Sequence, residues 1–83
     1  MPTVMRIDGL RVAIYSNDHR PPHVHVMGAG REAVFLLNAS GETPTLRGNL
    51  GFTTGELNRI AAILAENSVR LRAEWERLHA DHR

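Results

Sequence analysis

Apolar and polar residues alternate with a period of two through the first half of the chain, and the pattern changes to a helical period near residues 48–51. In residues 4–8 and 10–16 the alternation places Leu10, Val12 and Ile14 on one face of a strand and Arg11, Ala13 and Tyr15 on the other. Asp8-Gly9 joins the two runs, a pair that favours a tight hairpin turn. The segment Asn17-Asp18-His19-Arg20-Pro21-Pro22 reads as a loop, because tandem prolines remove two ladder donors and bias the preceding residues to extended geometry. Alternation resumes over residues 23–27, and Gly28-Ala29-Gly30 turns the chain into residues 31–37. From Ala33 onward that fourth run is apolar on both faces, which predicts a central or doubly covered strand. Residues 38–50, with Gly41, Pro44 and Gly48, read as a turn-rich connection with room for one short strand at 45–47.

Beyond this point Thr53-Thr54-Gly55-Glu56 fits a capping box. Leu57, Ala61, Leu64, Ser68, Leu71, Trp75 and Leu78 follow at spacings of four and three, forming one apolar stripe. Glu66/Arg70, Arg70/Glu74 and Arg72/Glu76 stand four apart, the spacing of supporting ion pairs on a solvated face. An unbroken helix over residues 54–80 would be about 40 Å long, against roughly 30 Å across a compact chain of this size. The helix therefore overhangs, exposing Leu71, Trp75 and Leu78 to a partner, or breaks near Asn67-Ser68. The simpler reading makes the stripe a core face, because small domains need every apolar face for themselves. The predicted fold is α+β: a single domain over residues 1–83, with a four-stranded antiparallel sheet in 1–50 and one long or broken C-terminal helix in 51–83 packed on one face.

At 83 residues the core is small, so a metal, a second copy or a protein partner would be a sensible source of added stability. The absence of cysteine excludes disulfides and thiolate zinc sites, leaving imidazole and carboxylate as metal ligands and the cytoplasm as the expected compartment. No apolar run is long enough to span a membrane. A net charge of +1, with acidic residues spread through both halves, gives no basic stripe, so any RNA contact must be local.

Chemistry concentrates in Asp18-His19-Arg20-Pro21-Pro22-His23-Val24-His25. His23 and His25 lie two apart on a strand and point to one face, opposite Val24 and Val26. The prolines stiffen the loop that holds Asp18 and His19 near them. Three readings fit. His23 and His25 with His19 or Asp18 match nitrogen and oxygen sites for zinc, manganese or iron with an open position for water. Alternatively, His19, His23 and His25 act as general acid and base beside Arg20 or Arg11 and cleave RNA through its own 2′-hydroxyl. In the third reading the cluster is structural. His79 and His82 read as favourable charge at a helix C-terminus or as a frayed tail.

The string from Tyr15 to Val26, with the preceding hairpin and the later helix carrying Trp75, resembles the small bacterial domain-of-unknown-function family 4160 over nearly the whole chain. Its most specific element is an acidic residue, His, any residue, two prolines, His, any residue, His, filled here by Asp18, His19, Pro21, Pro22, His23 and His25. The resemblance implies one half of a bacterial two-gene toxin–antitoxin module, with a domain-of-unknown-function family 2442 neighbour as protein partner, or a homo-oligomer. The chain departs from the pattern at Gly51, where the resemblance implies proline ahead of the helix. The leading expectation is a toxin-like protein acting on RNA through His23 and His25, supported by His19, Asp18 and Arg20. The rival is a non-enzymatic adaptor or antitoxin-like regulator that binds protein through Leu71, Trp75 and Leu78.

Overall fold

The computed structural model describes residues 3–38 and 41–80. Five strands form one antiparallel sheet in chain order: β1 (Thr3–Ile7), β2 (Leu10–Ala13), β3 (His23–Gly28), β4 (Arg31–Leu36) and β5 (Thr45–Leu50). Two helices follow, α1 (Thr54–Glu66) and α2 (Ser68–His79). The expected four strands and one helix are thus corrected to five and two, within the predicted α+β order.

Asp8 and Gly9 both take positive φ, 47° and 84°, as the tight β1–β2 turn requires. The register pairs Val12 with Val26, Val24 with Phe35 and Val26 with Ala33, so these side chains share one face. They meet Ile60, Leu64, Leu71 and Trp75 from the helices in a single core. Among the described residues no helix covers the other sheet face: Val34 and Leu36 are only half-buried, so β4 is central without being doubly covered.

β5 runs six residues, twice the length the sequence suggested, because Gly48 and Asn49 read as turn residues yet lie on an edge strand. A register shift places Gly48 opposite Val34 and Leu46 opposite Phe35, leaving Arg47 as the extra residue of a bulge. At Gly51 φ is +98° and a Cβ would lie 2.8 Å from Arg31 Cγ, so the proline expected there cannot be accommodated.

The capping box forms: Thr53 N donates to Glu56 Oε1 at 2.9 Å and Glu56 N to Thr53 Oγ1 at 3.2 Å. The helix breaks at Asn67, whose side chain donates to the Ile63 carbonyl at 2.8 Å. Ser68, buried beside the break, accepts from Gly41 N at 2.6 Å and so holds the β4–β5 connection. None of the three i,i+4 pairs forms as an ion pair among the described residues. Arg70 instead donates to the Val4 carbonyl, and Arg72 to those of Leu37 and Asn38, because the sheet's carbonyls lie within reach.

Leu71 and Trp75 are 0% exposed, which removes the partner-binding stripe: these side chains are already spent on the chain's own core. No helix is long and apolar enough to cross a membrane among the described residues.

Leu71→Glu should therefore abolish the cooperative thermal transition followed by circular dichroism, since it buries an unpaired carboxylate; a variant that melts like the parent would contradict the packing. A second expectation concerns acid. The Thr53 backbone N–H, and then Arg31, hold the Glu56 carboxyl below its ordinary 4.5. A lowered folded-state value stabilises above the ordinary value and is lost as pH falls through the folded one. Urea midpoints should drop below about pH 4.5, and Glu56→Gln should flatten part of that drop; an equally steep profile would count against the assignment.

Candidate metal centre

The β2–β3 connection and the first half of β3 build the centre. Asp18 N donates to the Tyr15 carbonyl at 3.1 Å, closing a turn that brings the Asp18 carboxylate back over β3. Leu37 N donates to the Pro22 carbonyl at 2.9 Å, anchoring the loop to the end of β4, and the Arg20-Pro21 peptide is cis. Val24 and Val26 are fully buried, so strand alternation turns His23 and His25 to the uncovered face. Ala13, directly opposite His25 on β2, is small enough to leave room for the ring. Tyr15 packs edge-on to His25 at 5.0 Å, and the His23 ring lies 5.3 Å from both His25 and Trp75.

One carboxylate oxygen serves both rings. Asp18 Oδ2 lies 3.2 Å from His23 Nε2 and 3.0 Å from His25 Nε2. The outer nitrogens also face oxygens: His23 Nδ1 lies 2.8 Å from the Pro21 carbonyl and His25 Nδ1 lies 3.3 Å from Glu32 Oε2. Asp18, His23 and His25 offer ligand atoms all within 4.8 Å of one another. Their side chains are 22%, 17% and 17% exposed, shielded enough to strengthen the electrostatics but open to a small ion.

Hydrogen-bond stoichiometry limits what this arrangement can be. A neutral imidazole has one N–H donor, and carbonyl and carboxylate oxygens only accept. Four ring nitrogens face four oxygen contacts, so neutral rings satisfy two and leave two lone pairs against acceptors. A cation among the two Nε2 atoms and Asp18 Oδ2 would relieve this, leaving each Nδ1–H to donate outward, to a carbonyl and to a carboxylate, the support that metal-bound histidines usually have. Ligands about 2.0–2.1 Å from a tetrahedral ion lie roughly 3.3 Å apart, close to the observed Nε2–Oδ2 separations. Two histidines and one carboxylate leave coordination positions for water and substrate, and zinc, iron and manganese accept this set.

The other predicted residues take separate places. His19 is exposed and is not among the converging ligand atoms; with Arg20 it borders two recesses, one reaching His23, Val34 and Arg47, the other Asp18 and His79. Arg20 Nη2 donates to both Glu76 oxygens, at 2.9 and 3.1 Å, pinning the loop to α2. That hydrogen bond also holds the Glu76 carboxyl below its usual range. Arg11 donates to Thr3 Oγ1 at 3.1 Å rather than approaching the histidines.

His79 is not part of a frayed tail. Its ring stacks on Trp75 with centroids 3.7 Å apart, Nδ1 lies 2.7 Å from the Trp75 carbonyl, and Nε2 lies 3.1 Å from the Asp18 carbonyl. The end of α2 thereby clasps the residue that joins the two imidazoles. His82 lies outside the described residues.

Sequence reasoning missed Glu32 and the Pro21 carbonyl. Glu32 pairs with Met27 and sits diagonally from His25, so only the β3–β4 register reveals it. The Ala29-Gly30 turn was the available signal, since a two-residue turn counts that register back from Gly28 and Arg31.

No curated protein and no solved structure matches the chain. A family model, Domain of unknown function (DUF4160), matches residues 9–76, from the first hairpin through most of α2 and across the whole of the centre. The chain belongs to this family.

Proposed function

We propose that the chain is a small metal-dependent hydrolase of RNA phosphodiesters, with His23, His25 and Asp18 as metal ligands, acting as the toxin-like half of a bacterial two-gene module in the cytoplasm. The observation that carries the reading is the single Asp18 oxygen 3.0 and 3.2 Å from two Nε2 atoms whose partner Nδ1 atoms already face acceptors. A divalent ion bound there supplies a Lewis acid and an ionised water near neutral pH. The Pro21 carbonyl and Glu32 fix the ring orientations, Asp18 is held by its own loop and by His79, and Arg20 is committed to Glu76 as a structural tie. His19, exposed at the rim of the recess that His23 also lines, is the imidazole assigned here to protonate the leaving group. Support for RNA is local, as the net charge requires: the recess beside His23 carries Arg47, His19 and the Glu76-paired Arg20 over Pro21, Val34 and Leu36, and no acidic residue lines it.

The alternative use of the same residues is metal-free acid–base cleavage, with His23 and His25 as general acid and general base. Protein purified without a histidine tag separates the two. The metal reading expects about one equivalent of zinc, manganese or iron per chain, or its uptake on titration, and RNA cleavage lost on chelation. Less than about a tenth of an equivalent after titration overturns it. His23→Ala/His25→Ala should keep the far-ultraviolet circular dichroism spectrum while losing metal, cleavage and toxicity; full toxicity in the double variant would end both enzymatic readings. Glu32→Gln should weaken metal binding by about 10–100-fold in calorimetry, as loss of an outer-shell partner does; unchanged affinity would leave Glu32 without a role at the centre.

A further inference from the structure

The recess of about 190 Å³ between the Pro21 loop and β5 has chemistry that the metal ligands do not use. We infer that it is a subsite for one phosphodiester group of single-stranded RNA, with Arg47 as the anion-binding residue; the inference rests on the proposed RNA hydrolysis and names the group that anchors the substrate.

The bulge in β5 inserts Arg47 between Gly48, opposite Val34, and Leu46, opposite Phe35. Bulges commonly re-aim a side chain, and here Arg47 lines the recess that His23 also lines. Gly48 beside it has open space where a Cβ would stand, so a ligand backbone can approach.

Every described arginine except Arg6 and Arg47 donates to a carboxylate, hydroxyl or carbonyl oxygen. Arg6 lies on β1, the opposite edge strand, and does not line the recess. Arg47 is therefore the uncommitted guanidinium beside the centre, and no acidic side chain lines the recess to neutralise it. A guanidinium fork matches phosphate geometry.

Size and floor indicate what kind of molecule carries the phosphate. Pockets that enclose whole small molecules run to about 300–1,000 Å³. A recess of 190 Å³ has room for one group of a longer chain rather than for a whole small molecule. Val34 and Leu36 form its half-buried apolar floor, suited to the face of a sugar or base next to the bound phosphate.

The test is fluorescence anisotropy with a labelled single-stranded 2′-O-methyl RNA, which lacks the free 2′-hydroxyl, measured on the metal-loaded full chain over a range of salt. Arg47→Ala should weaken binding about tenfold, the effect expected for one charge-assisted contact. It should also lower the slope of log affinity against log salt by about 0.7, the value for one phosphate on a single strand. Arg47→Lys should restore most of the slope. Metal content and the melting transition should not change, since Arg47 is exposed and supports no other described contact. Unchanged affinity or slope in folded Arg47→Ala overturns the subsite. So does equal competition by polyglutamate, which would mean a general carboxylate site. The outcomes separate cleanly: metal bound with RNA binding indifferent to Arg47 removes the subsite and leaves the centre standing, whereas a metal-free protein removes the centre itself.

Discussion

Two imidazoles and one carboxylate oxygen meet at 3.0 and 3.2 Å, while the far nitrogen of each ring is already turned toward another oxygen. Neutral imidazoles cannot satisfy such an arrangement, because acceptors outnumber donors. A cation among the two Nε2 atoms and the shared Asp18 oxygen would leave each Nδ1–H free to donate to its own acceptor. The surrounding fold keeps this arrangement in place. β3 fixes the two rings on one face, the Tyr15–Asp18 turn delivers the carboxylate, and His79, stacked on the buried Trp75, holds the Asp18 backbone from the helical side.

The same scaffold explains why the centre sits where it does. The helices cover one face of the sheet and consume Leu71 and Trp75 as core, leaving the face of His23 and His25 open. A chain of 83 residues has one small core, and both helices are needed to cover it. Arg20 donates from the loop to Glu76 on α2, Leu37 N donates to the Pro22 carbonyl, and Arg72 donates from α2 to the Leu37 and Asn38 carbonyls, so loop, helix and the end of β4 are tied to one another.

Much of this was legible in the residues. The period of two from His23 to Val26 gave the shared direction of the imidazoles, and Asp18 stood at a fixed place before the double proline. The length of the helical stripe against the width of the domain left an overhang or a break near Asn67-Ser68, and the structure takes the break. β5 was largely hidden, because Gly48 and Asn49 carry turn chemistry and an edge strand has no second neighbour to impose alternation. Glu32 and Arg47 were hidden for a related reason: their positions depend on strand register and on a bulge, which are properties of pairs of strands. Val34 and Leu36 read as doubly covered positions because apolar residues floor an open recess as readily as they fill a core.

The most direct measurement is anomalous X-ray diffraction at a metal absorption edge from crystals of the tag-free protein grown with zinc or manganese. The expected result is one peak per chain about 2.0–2.2 Å from His23 Nε2, His25 Nε2 and Asp18 Oδ2. A map with no peak there, or with the ion bound elsewhere while both rings keep contact with Asp18, would contradict the metal centre.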